Sequence, residues 1–590
     1  MSDEKIFSEY EQTRQSHRPS IKGRQQMVVS GHALATQAGM RILDRGGNAV
    51  DAVVAAGLCL CVLQSDMVSF AGVAPMMIYM ADMTAPVTIS GLGPWPKAAS
   101  VEYFRTEHQG KIPEGVARTV VPGSPDSWIK ALAHYGTLTF EAVSCDAIDL
   151  AENGFPMHSF LRNSLHELKD KYARWPSNAE IYLPQGRPPE TGEIFCQKDL
   201  AITMKRLVAA ERNTQGKDRR AGLWTARDEF YKGKIAKTIV NFHQKSGGLM
   251  TLNDLASYES AIETPCATTF GDYIIYSCRP WCQGPALLQM LNILENFNLT
   301  TMGHNSIEYI HTIIETMKLV FADRHRFYGD PDVVNVPIEG LLSKEYARER
   351  AKLVRMDAAW QEIPPSSNPW KYQRESQPEG NVVHPRVNPN IVSNDQLDTS
   401  YVCTADQWGN CVAAVPSDMS FSGPVVPHTG MVVSTRGSQS WVDDDNASSV
   451  GGGKRPRLTP TPHMFFKNNR PYLVLGTPGG DTQCQTILQV FLNIVLFGLE
   501  SQHAVEAPRF ATFNHPNSFY PHDYHPALIR MEDRFSNETL NTLIRLGHKI
   551  EKWPPWAWKA GGACLILFDH DKNIYYGAAD PRRESYALGW

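Results

Sequence analysis

The chain has no long apolar run of the kind that crosses a membrane. Within its 590 residues, the longest apolar stretch near the front is Ala52–Leu63. That stretch is shorter than the roughly 20 residues that a membrane-spanning helix needs. Three of residues 1–5 are charged, and no apolar segment typical of a secretory signal follows them. We therefore expect no membrane partner and predict a cytoplasmic protein.

An excess of positive charge is also missing. The chain has 57 Lys and Arg residues against 62 Asp and Glu residues, so its net charge is −5. This balance gives no electrostatic reason to bind nucleic acid or an anionic membrane surface. We expect a small-molecule substrate and no nucleic-acid partner.

The spacings that mark common metal sites are absent as well. The eleven cysteines are an odd number, and none of them shows C-x-x-C spacing. No H-E-x-x-H sequence occurs. We expect reduced cysteine thiols, no metal and no cofactor.

The first stretch with candidate chemistry surrounds Thr399. Alternating residues from Tyr401 onward predict a strand, and Trp408-Gly409-Asn410 predicts a turn. A cut between Asp398 and Thr399 would give Thr399 a free α-amine, with a pKa of about 7.7–8.0, beside its own hydroxyl. One residue would then supply both nucleophile and base. The alternative is an ordinary polar start of a strand.

The second stretch is a glycine loop. The apolar strand up to Gly476 leads into Gly479-Gly480 and then into a predicted helix at 482–497. Paired glycines before a helix allow backbone N–H groups to approach a substrate oxygen that becomes anionic during acyl transfer. The alternative is a tight turn between strand and helix.

Other patterns predict the surrounding elements. A helix is expected over His32–Arg45, followed by another from Ala49. Asn305 and Glu308 resemble a capping box at the start of a helix that ends near residue 326. Residues 355–398 are rich in Pro and Asn, which predicts a mobile tail in front of Thr399.

Ordered motifs along nearly the whole chain resemble those of one family, the γ-glutamyltranspeptidases, which are self-cleaving N-terminal-nucleophile hydrolases. The resemblance covers roughly residues 26–580. Besides the two stretches above, its motifs are Ile42–Ala52, Phe230–Gly233, Gly248–Leu255, Leu291–Leu294, Phe321–Arg324, Gly329–Asp332, Lys454–Pro456 and Ala507–Phe510.

This resemblance implies an α+β fold, the four-layer αββα sandwich of Ntn hydrolases, formed by two subunits after self-cleavage. Residues 1–25 would be an N-terminal extension, residues 26–398 a large subunit and residues 399–590 a small subunit. The two subunits of one precursor would be partners, and a higher oligomer stays open.

The resemblance also assigns catalytic roles. In relatives, a Thr or Ser lies 18 residues after the nucleophile and hydrogen-bonds to it, and this residue is Ser417 here. Gly479 and Gly480 would form the oxyanion site. The alternative for Ser417 is a serine at the end of a strand.

The positions that recognise glutamate in the family have changed. Gly91 stands where an Arg clamps the substrate carboxylate, and no Arg lies between Met80 and Arg105. Gln439 stands where an Asp holds the substrate amine, and Leu458-Thr459 replaces a Ser-Ser pair. The candidate substrate contacts are Gly91, Arg436, Gln439, Thr459, Asp481 and Gln483, with a surface side chain as the alternative for Arg436.

Three hypotheses follow. The first is a self-processing amidohydrolase or acylase that cleaves an amide or related acyl bond, including a C–C bond, of a small non-glutamyl substrate through a Thr acyl-enzyme. The second is a γ-glutamyltransferase or glutathione hydrolase with relocated contacts. The third is an uncleaved, inactive scaffold.

Overall fold

The computed structural model describes residues 16–214, 218–374 and 399–590. Its strands are β1 (Ile21–Gly23), β2 (Met27–Ser30), β3 (Met76–Tyr79), β4 (Val87–Ile89), β5 (Phe155–Pro156), β6 (Ile194–Phe195), β7 (Ile262–Glu263), β8 (Cys266–Phe270), β9 (Tyr273–Ser277), β10 (Val402–Ala405), β11 (Cys411–Ala414), β12 (Val425–Val426), β13 (Met431–Val432), β14 (His463–Lys467), β15 (Arg470–Gly476), β16 (Phe510–Thr512), β17 (Leu528–Glu532), β18 (Lys549–Trp553), β19 (Cys564–Asp569), β20 (Ile574–Ala579) and β21 (Tyr586–Gly589).

The α-helices in the described residues are α1 (Ala33–Asp44), α2 (Ala49–Leu63), α3 (Val101–His108), α4 (Ser124–Tyr135), α5 (Phe140–Asn153), α6 (Ser159–Glu167), α7 (Lys169–Ala173), α8 (Pro176–Tyr182), α9 (Lys198–Arg212), α10 (Arg219–Tyr231), α11 (Lys234–Lys245), α12 (Leu252–Ala256), α13 (Pro285–Leu294), α14 (Leu299–Met302), α15 (Ile307–Phe327), α16 (Ile338–Leu341), α17 (Lys344–Ala351), α18 (Gln483–Val495), α19 (Ser501–Glu506) and α20 (Asn537–Arg545).

Two seven-stranded antiparallel sheets form the centre of the fold. Sheet A has the strand order β1-β20-β19-β15-β14-β9-β8, and sheet B has the order β21-β2-β10-β11-β3-β4-β7. β10, which follows Thr399, lies in the middle of sheet B between β2 and β11. β15, which leads into the glycine loop, lies in the middle of sheet A.

The side chains of these strands alternate between two cores, as the two-residue period of a strand requires. Tyr401, just before β10, and Cys403 on β10 pack between the sheets with Phe466 of β14, whereas Val402 faces α2 and its neighbours. Phe465 faces the opposite helix layer, which includes α13, α15 and α18. The layers are therefore helix, sheet, sheet, helix, which confirms the αββα sandwich.

Parts of the predicted N-terminal extension and of the predicted tail have contacts with the rest of the fold. Residues 21–23, inside the predicted N-terminal extension, form β1 at the edge of sheet A and pair with β20. In the predicted tail, Trp360 N–H donates to Glu315, and Arg350 donates to the carbonyl of Pro365. The rest of that predicted tail, residues 375–398, lies outside the described residues.

The described residues bear on two further expectations, the state of the cysteines and the lack of a membrane-spanning helix. All eleven cysteines are described, and none of them forms a disulfide. Among the described helices, none combines the length and apolar character needed to cross a bilayer.

Candidate active site

Thr399 lies at the entrance to β10, in the interior of the protein. Its neighbour Ser400 donates its N–H to the carbonyl of Pro416 at 3.0 Å, and Gly31 donates to the carbonyl of Tyr401. Thr399 itself is fully buried and has a φ of 117°. A positive φ is rare for a β-branched residue and indicates backbone strain. The other half of the predicted cleavage site, Asp398, lies outside the described residues.

Ser417 is the hydroxyl partner of Thr399. The two Oγ atoms are 2.7 Å apart, and both residues are buried. Ser417 is fixed by two backbone hydrogen bonds with Val73. Backbone hydrogen bonds beside sheet B therefore fix the positions of the two hydroxyls.

Arg436 contacts the same serine from the other side. Its Nη2 donates to Ser417 Oγ, and its Nε lies 3.6 Å from Asp418 Oδ2. The side chain is fully buried and packs over the ring of Phe519, so the alternative of a surface arginine is wrong. Because a guanidinium only donates hydrogen bonds, Ser417 Oγ accepts from Arg436, and either hydroxyl can donate in the contact between Ser417 Oγ and Thr399 Oγ1.

Asp418 supplies the counter-charge for Arg436. It accepts hydrogen bonds from Ser434 Oγ at 2.6 Å and from the N–H and hydroxyl of Thr435. Its φ of 138° is a second strained conformation, directly after Ser417. Strained residues cluster where a site must be held in one geometry. The strained conformation of Asp418 therefore indicates that Ser417, directly before it, has a fixed position in the site.

Arg583 contacts the main chain of Thr399, a relationship that sequence reasoning missed. Its Nη1 donates to the carbonyl oxygen of Thr399 at 3.4 Å. Its guanidinium also lies near the rings of Phe160 and Trp558, at 5.5 Å and 5.3 Å. The only sequence signal is the adjacent pair Arg582-Arg583, and nothing in its spacing connects it to residue 399.

The glycine loop follows β15 in the opposing sheet. Gly476 packs directly on the ring of Tyr401, since a Cβ at residue 476 would lie 2.0 Å from that ring. Gly479 and Gly480 have φ values of 130° and 56°, which other residues rarely adopt. Among the described residues, neither of their N–H groups has a protein acceptor. These N–H groups are therefore available for a substrate oxygen.

Asp481 has partners within the protein. Its Oδ1 accepts from Arg324 and from Ser518 Oγ, each at 2.6 Å, and its Oδ2 accepts from Ser518 N–H. Burial by itself would raise the pKa of this carboxyl, but Arg324, His515 and Ser518 hold it well below its usual range. The structure thus places this predicted substrate contact in an ion pair behind the loop, and the neighbouring Gln483 is likewise buried and accepts from Thr461 N–H.

The positions expected to recognise glutamate are neutral or closed. Gly91 has a φ of 51°, and a Cβ there would lie 2.1 Å from the carbonyl oxygen of Ala74. No side chain fits at residue 91 without a shift of the backbone. Gln439 donates to Thr459 Oγ1 at 2.9 Å, so these two predicted contacts form a buried, uncharged pair.

Two groups of side chains outside this site have ligand-type atoms within 4.8 Å of one another: His32, His158 and Glu584, and His311, Glu315 and His548. In the first group, Glu584 pairs with His158 at 2.6 Å. In the second, Glu315 pairs with Lys318 at 2.7 Å. Each carboxylate has a basic partner within the protein, which explains both groups as ion pairs.

Two stacked sheets between two helix layers define the fold of the N-terminal-nucleophile hydrolases. A family model, Gamma-glutamyltranspeptidase, matches residues 35–590. The chain therefore belongs to the γ-glutamyltranspeptidase family.

Individual relatives carry several activities in their names. The chain is 33% identical to the glutathione hydrolase proenzyme of Bacillus subtilis (strain 168), over 96% of this chain and 92% of the relative. It is 31% identical to the acylase ACY 1 proenzyme of Pseudomonas sp. (strain SE83), over 94% and 91% of the two chains. Among solved structures, cephalosporin acylase from Bacillus halodurans matches with a TM-score of 0.84 and 28% identity, covering 98% of this chain and 97% of that one.

Proposed function

We propose that the protein is a self-processing hydrolase in which Thr399 is the nucleophile. The observation that carries this proposal is the contact of 2.7 Å between Thr399 Oγ1 and Ser417 Oγ, inside the fold and with Arg436 behind the serine. A hydroxyl that receives a hydrogen bond from a polarised serine is stabilised as it develops negative charge.

Self-cleavage would occur between Asp398 and Thr399. The positive φ of Thr399 supports this step, because such a conformation stores on the order of 1–3 kcal/mol of strain. Cutting the peptide bond in front of Thr399 releases that restraint and creates the α-amine. The cut would leave a large subunit ending at Asp398 and a small subunit starting at Thr399.

The reaction that we propose uses these groups in order. Thr399 Oγ bonds to the carbonyl carbon of the substrate, and the α-amine of Thr399 takes the hydroxyl proton. The N–H groups of Gly479 and Gly480 hold the oxyanion. The proton passes to the leaving nitrogen as the C–N bond breaks, and water then hydrolyses the acyl-enzyme ester.

We propose that the acyl group is not γ-glutamyl. Closed Gly91 and the neutral pair of Gln439 and Thr459 support this choice, because neither offers a charge to a zwitterionic amino-acid head. Arg436 is the one candidate contact with a positive charge, and it faces Ser417 and Asp418. The similarity to acylases points in the same direction.

A second candidate is a glutathione hydrolase with relocated contacts. The 33% identity to the glutathione hydrolase proenzyme of B. subtilis favours it. The two candidates differ in the acyl chain, which carries a zwitterionic amino-acid head in the second candidate and not in the first.

Intact mass spectrometry of the wild type beside Thr399→Ala tests the nucleophile. We expect two wild-type fragments that together account for the 65.9 kDa chain, the smaller beginning at Thr399, and one uncut chain for the variant. Thr399→Ser is the matched control, since it keeps a hydroxyl and should still cleave. An uncut wild type would contradict the proposal and favour an inactive scaffold.

A pair of chromogenic probes tests the substrate class. Glutaryl-p-nitroanilide and γ-glutamyl-p-nitroanilide differ only in the α-amino group. We expect the cleaved wild type to release nitroaniline from the glutaryl probe at least as fast as from the γ-glutamyl probe. Strong preference for the γ-glutamyl probe would select the second candidate.

A further inference from the structure

Arg583 places a permanent positive charge next to the residue that carries the nucleophile. Its Nη1 lies 3.4 Å from the carbonyl oxygen of Thr399, and its side chain is buried. The carbonyl oxygen and the α-nitrogen of one residue are less than about 4 Å apart, because three bonds join them. After cleavage, the α-amine of Thr399 would therefore lie close to this guanidinium.

The guanidinium is held in this position from several sides. Its centre lies 5.5 Å from the ring of Phe160 and 5.3 Å from that of Trp558, and Nε donates to the carbonyl of Trp558 at 3.4 Å. Gly562 packs against the stem of Arg583, since a Cβ there would lie 2.8 Å from Arg583 Cδ. Gly562 in turn donates to Thr477 in the glycine loop. Arg583 thus connects the loop to Thr399.

Among the described residues, the ionisable groups near Arg583, Thr399 or their neighbours include Asp66, His158, Cys564, Glu584, Asp418 and Arg436. Burial raises the pKa of the Asp66 carboxyl, which opposes its ionisation, and burial raises the pKa of Cys564 to about 12. Glu584 pairs with His158, and Asp418 lies beside Arg436. Arg583 is thus the charged side chain described in contact with the main chain of Thr399.

We propose that Arg583 is a positioning residue that fixes the carbonyl of Thr399 and, by its charge, favours the neutral form of the Thr399 α-amine. This inference rests on the proposed function, because the α-amine exists only after the cut. A nearby like charge disfavours protonation. The amine would then be ready, at neutral pH, to accept the proton of its own hydroxyl.

Competitive labelling with acetic anhydride between pH 5 and pH 10 measures the pKa of this amine without a substrate. Mass spectrometry of the small fragment quantifies acetylation at Thr399. In the wild type we expect an amine pKa about 1 below the ordinary 7.7–8.0, and in Arg583→Gln a pKa raised by about 1. Arg583→Lys keeps the charge and should stay near the wild type.

Arg355→Gln is the matched control. Arg355 also lies over a tryptophan, Trp360, at 4.7 Å and donates to a backbone carbonyl, that of Ala359, at 3.3 Å. It belongs to the large subunit and has no contact with Thr399 among those described. Its substitution should leave the amine pKa unchanged.

Each outcome decides the proposal. Equal amine pKa values in cleaved wild type and cleaved Arg583→Gln would overturn it while leaving the nucleophile in place. Arg583→Met, which keeps an apolar stem between the two rings, serves if the Gln variant is not cleaved. If both neutral variants stay uncut while Arg583→Lys is cut, the charge acts before the amine exists, and the proposal is wrong. An uncut wild type overturns the proposed function together with this inference.

Discussion

Arg324 Nη1 lies 2.6 Å from Asp481 Oδ1 and joins α15 of the predicted large subunit to the glycine loop of the predicted small subunit. The same guanidinium donates to Gln283, whose amide donates at 2.8 Å to the carbonyl of Gly480. Arg324 is therefore connected in two ways, through Asp481 and through Gln283, to the backbone that would hold the oxyanion. The pair explains why a charged residue follows the glycines although it is buried.

Removing one partner of this pair should be costly. Asp481→Asn leaves the buried guanidinium of Arg324 without its counter-ion, and we expect a loss of about 3–5 kcal/mol in the free energy of unfolding. Urea denaturation of the cleaved protein measures this loss. Asp146→Asn breaks a solvent-exposed pair with Arg41 and should cost less than about 1 kcal/mol. Equal effects of the two substitutions would show that the buried pair has no special weight.

The stability of the protein should fall in two stages on acidification. Burial lowers the pKa of His463 and His515 to about 4, so these rings stay neutral in the fold while the unfolded chain takes up protons below about 6.5. Their contribution is present above pH 6.5 and is lost as the pH falls towards 4. The pKa of Asp481 is depressed, so its contribution is present above about 3.9 and is lost at still lower pH.

Urea unfolding midpoints at pH 7.5, 5.5, 4.5 and 3.5 test this dependence. We expect the midpoint to decrease steadily below pH 6.5 and faster below pH 4. The Asp481→Asn variant should lose the second stage while it keeps the first. A midpoint that stays constant down to pH 4.5 would contradict the role of the histidines.

The sequence was sufficient for features that are local along the chain. The strand after Thr399, the glycine loop and the helix α1 all lie where apolar periodicity and glycine positions predict them. The helix start at Asn305 was wrong by one residue. Ser306 is the cap, because its extended backbone suits that position, whereas Asn305 has a φ of 54°.

Contacts between residues far apart along the chain could not be predicted from the sequence. Arg583 and Thr399 are 184 residues apart, and Arg324 and Asp481 are 157 residues apart. No periodicity relates such positions, since only the stacking of two sheets brings them together. Ser417 was predictable because a relative's spacing carries over within one hairpin, β10–β11, and the short chain that follows it.

Ser417→Ala should slow both self-cleavage and turnover. The variant removes the hydrogen-bond partner of Thr399 Oγ1 and the serine acceptor of the Arg436 N–H. Loss of a hydrogen bond to a charged or developing anionic group costs about 1.5–3 kcal/mol, which corresponds to a decrease of roughly 10- to 100-fold in rate. Gel analysis of precursor conversion over time measures this rate without any substrate.

Ser417→Thr is the control for that experiment. It keeps the hydroxyl, and the family resemblance allows Thr or Ser at this position, so we expect conversion within about 3-fold of the wild type. If Ser417→Ala converted as fast as the wild type, the serine would be a structural residue at the end of a strand.

Gly91→Ala tests whether residue 91 has room for a side chain. The added Cβ would lie 2.1 Å from the carbonyl oxygen of Ala74, and the φ of 51° disfavours any side chain. We expect a loss of about 1–3 kcal/mol in the free energy of unfolding, read from urea denaturation. Gly110→Ala is the control, because Gly110 also has a positive φ, of 75°, but a Cβ there meets no atom within 4 Å. The excess loss in Gly91→Ala over Gly110→Ala therefore reports the clash alone. Equal losses would mean that residue 91 has room for a side chain, and a recognition arginine at this position would then be sterically possible.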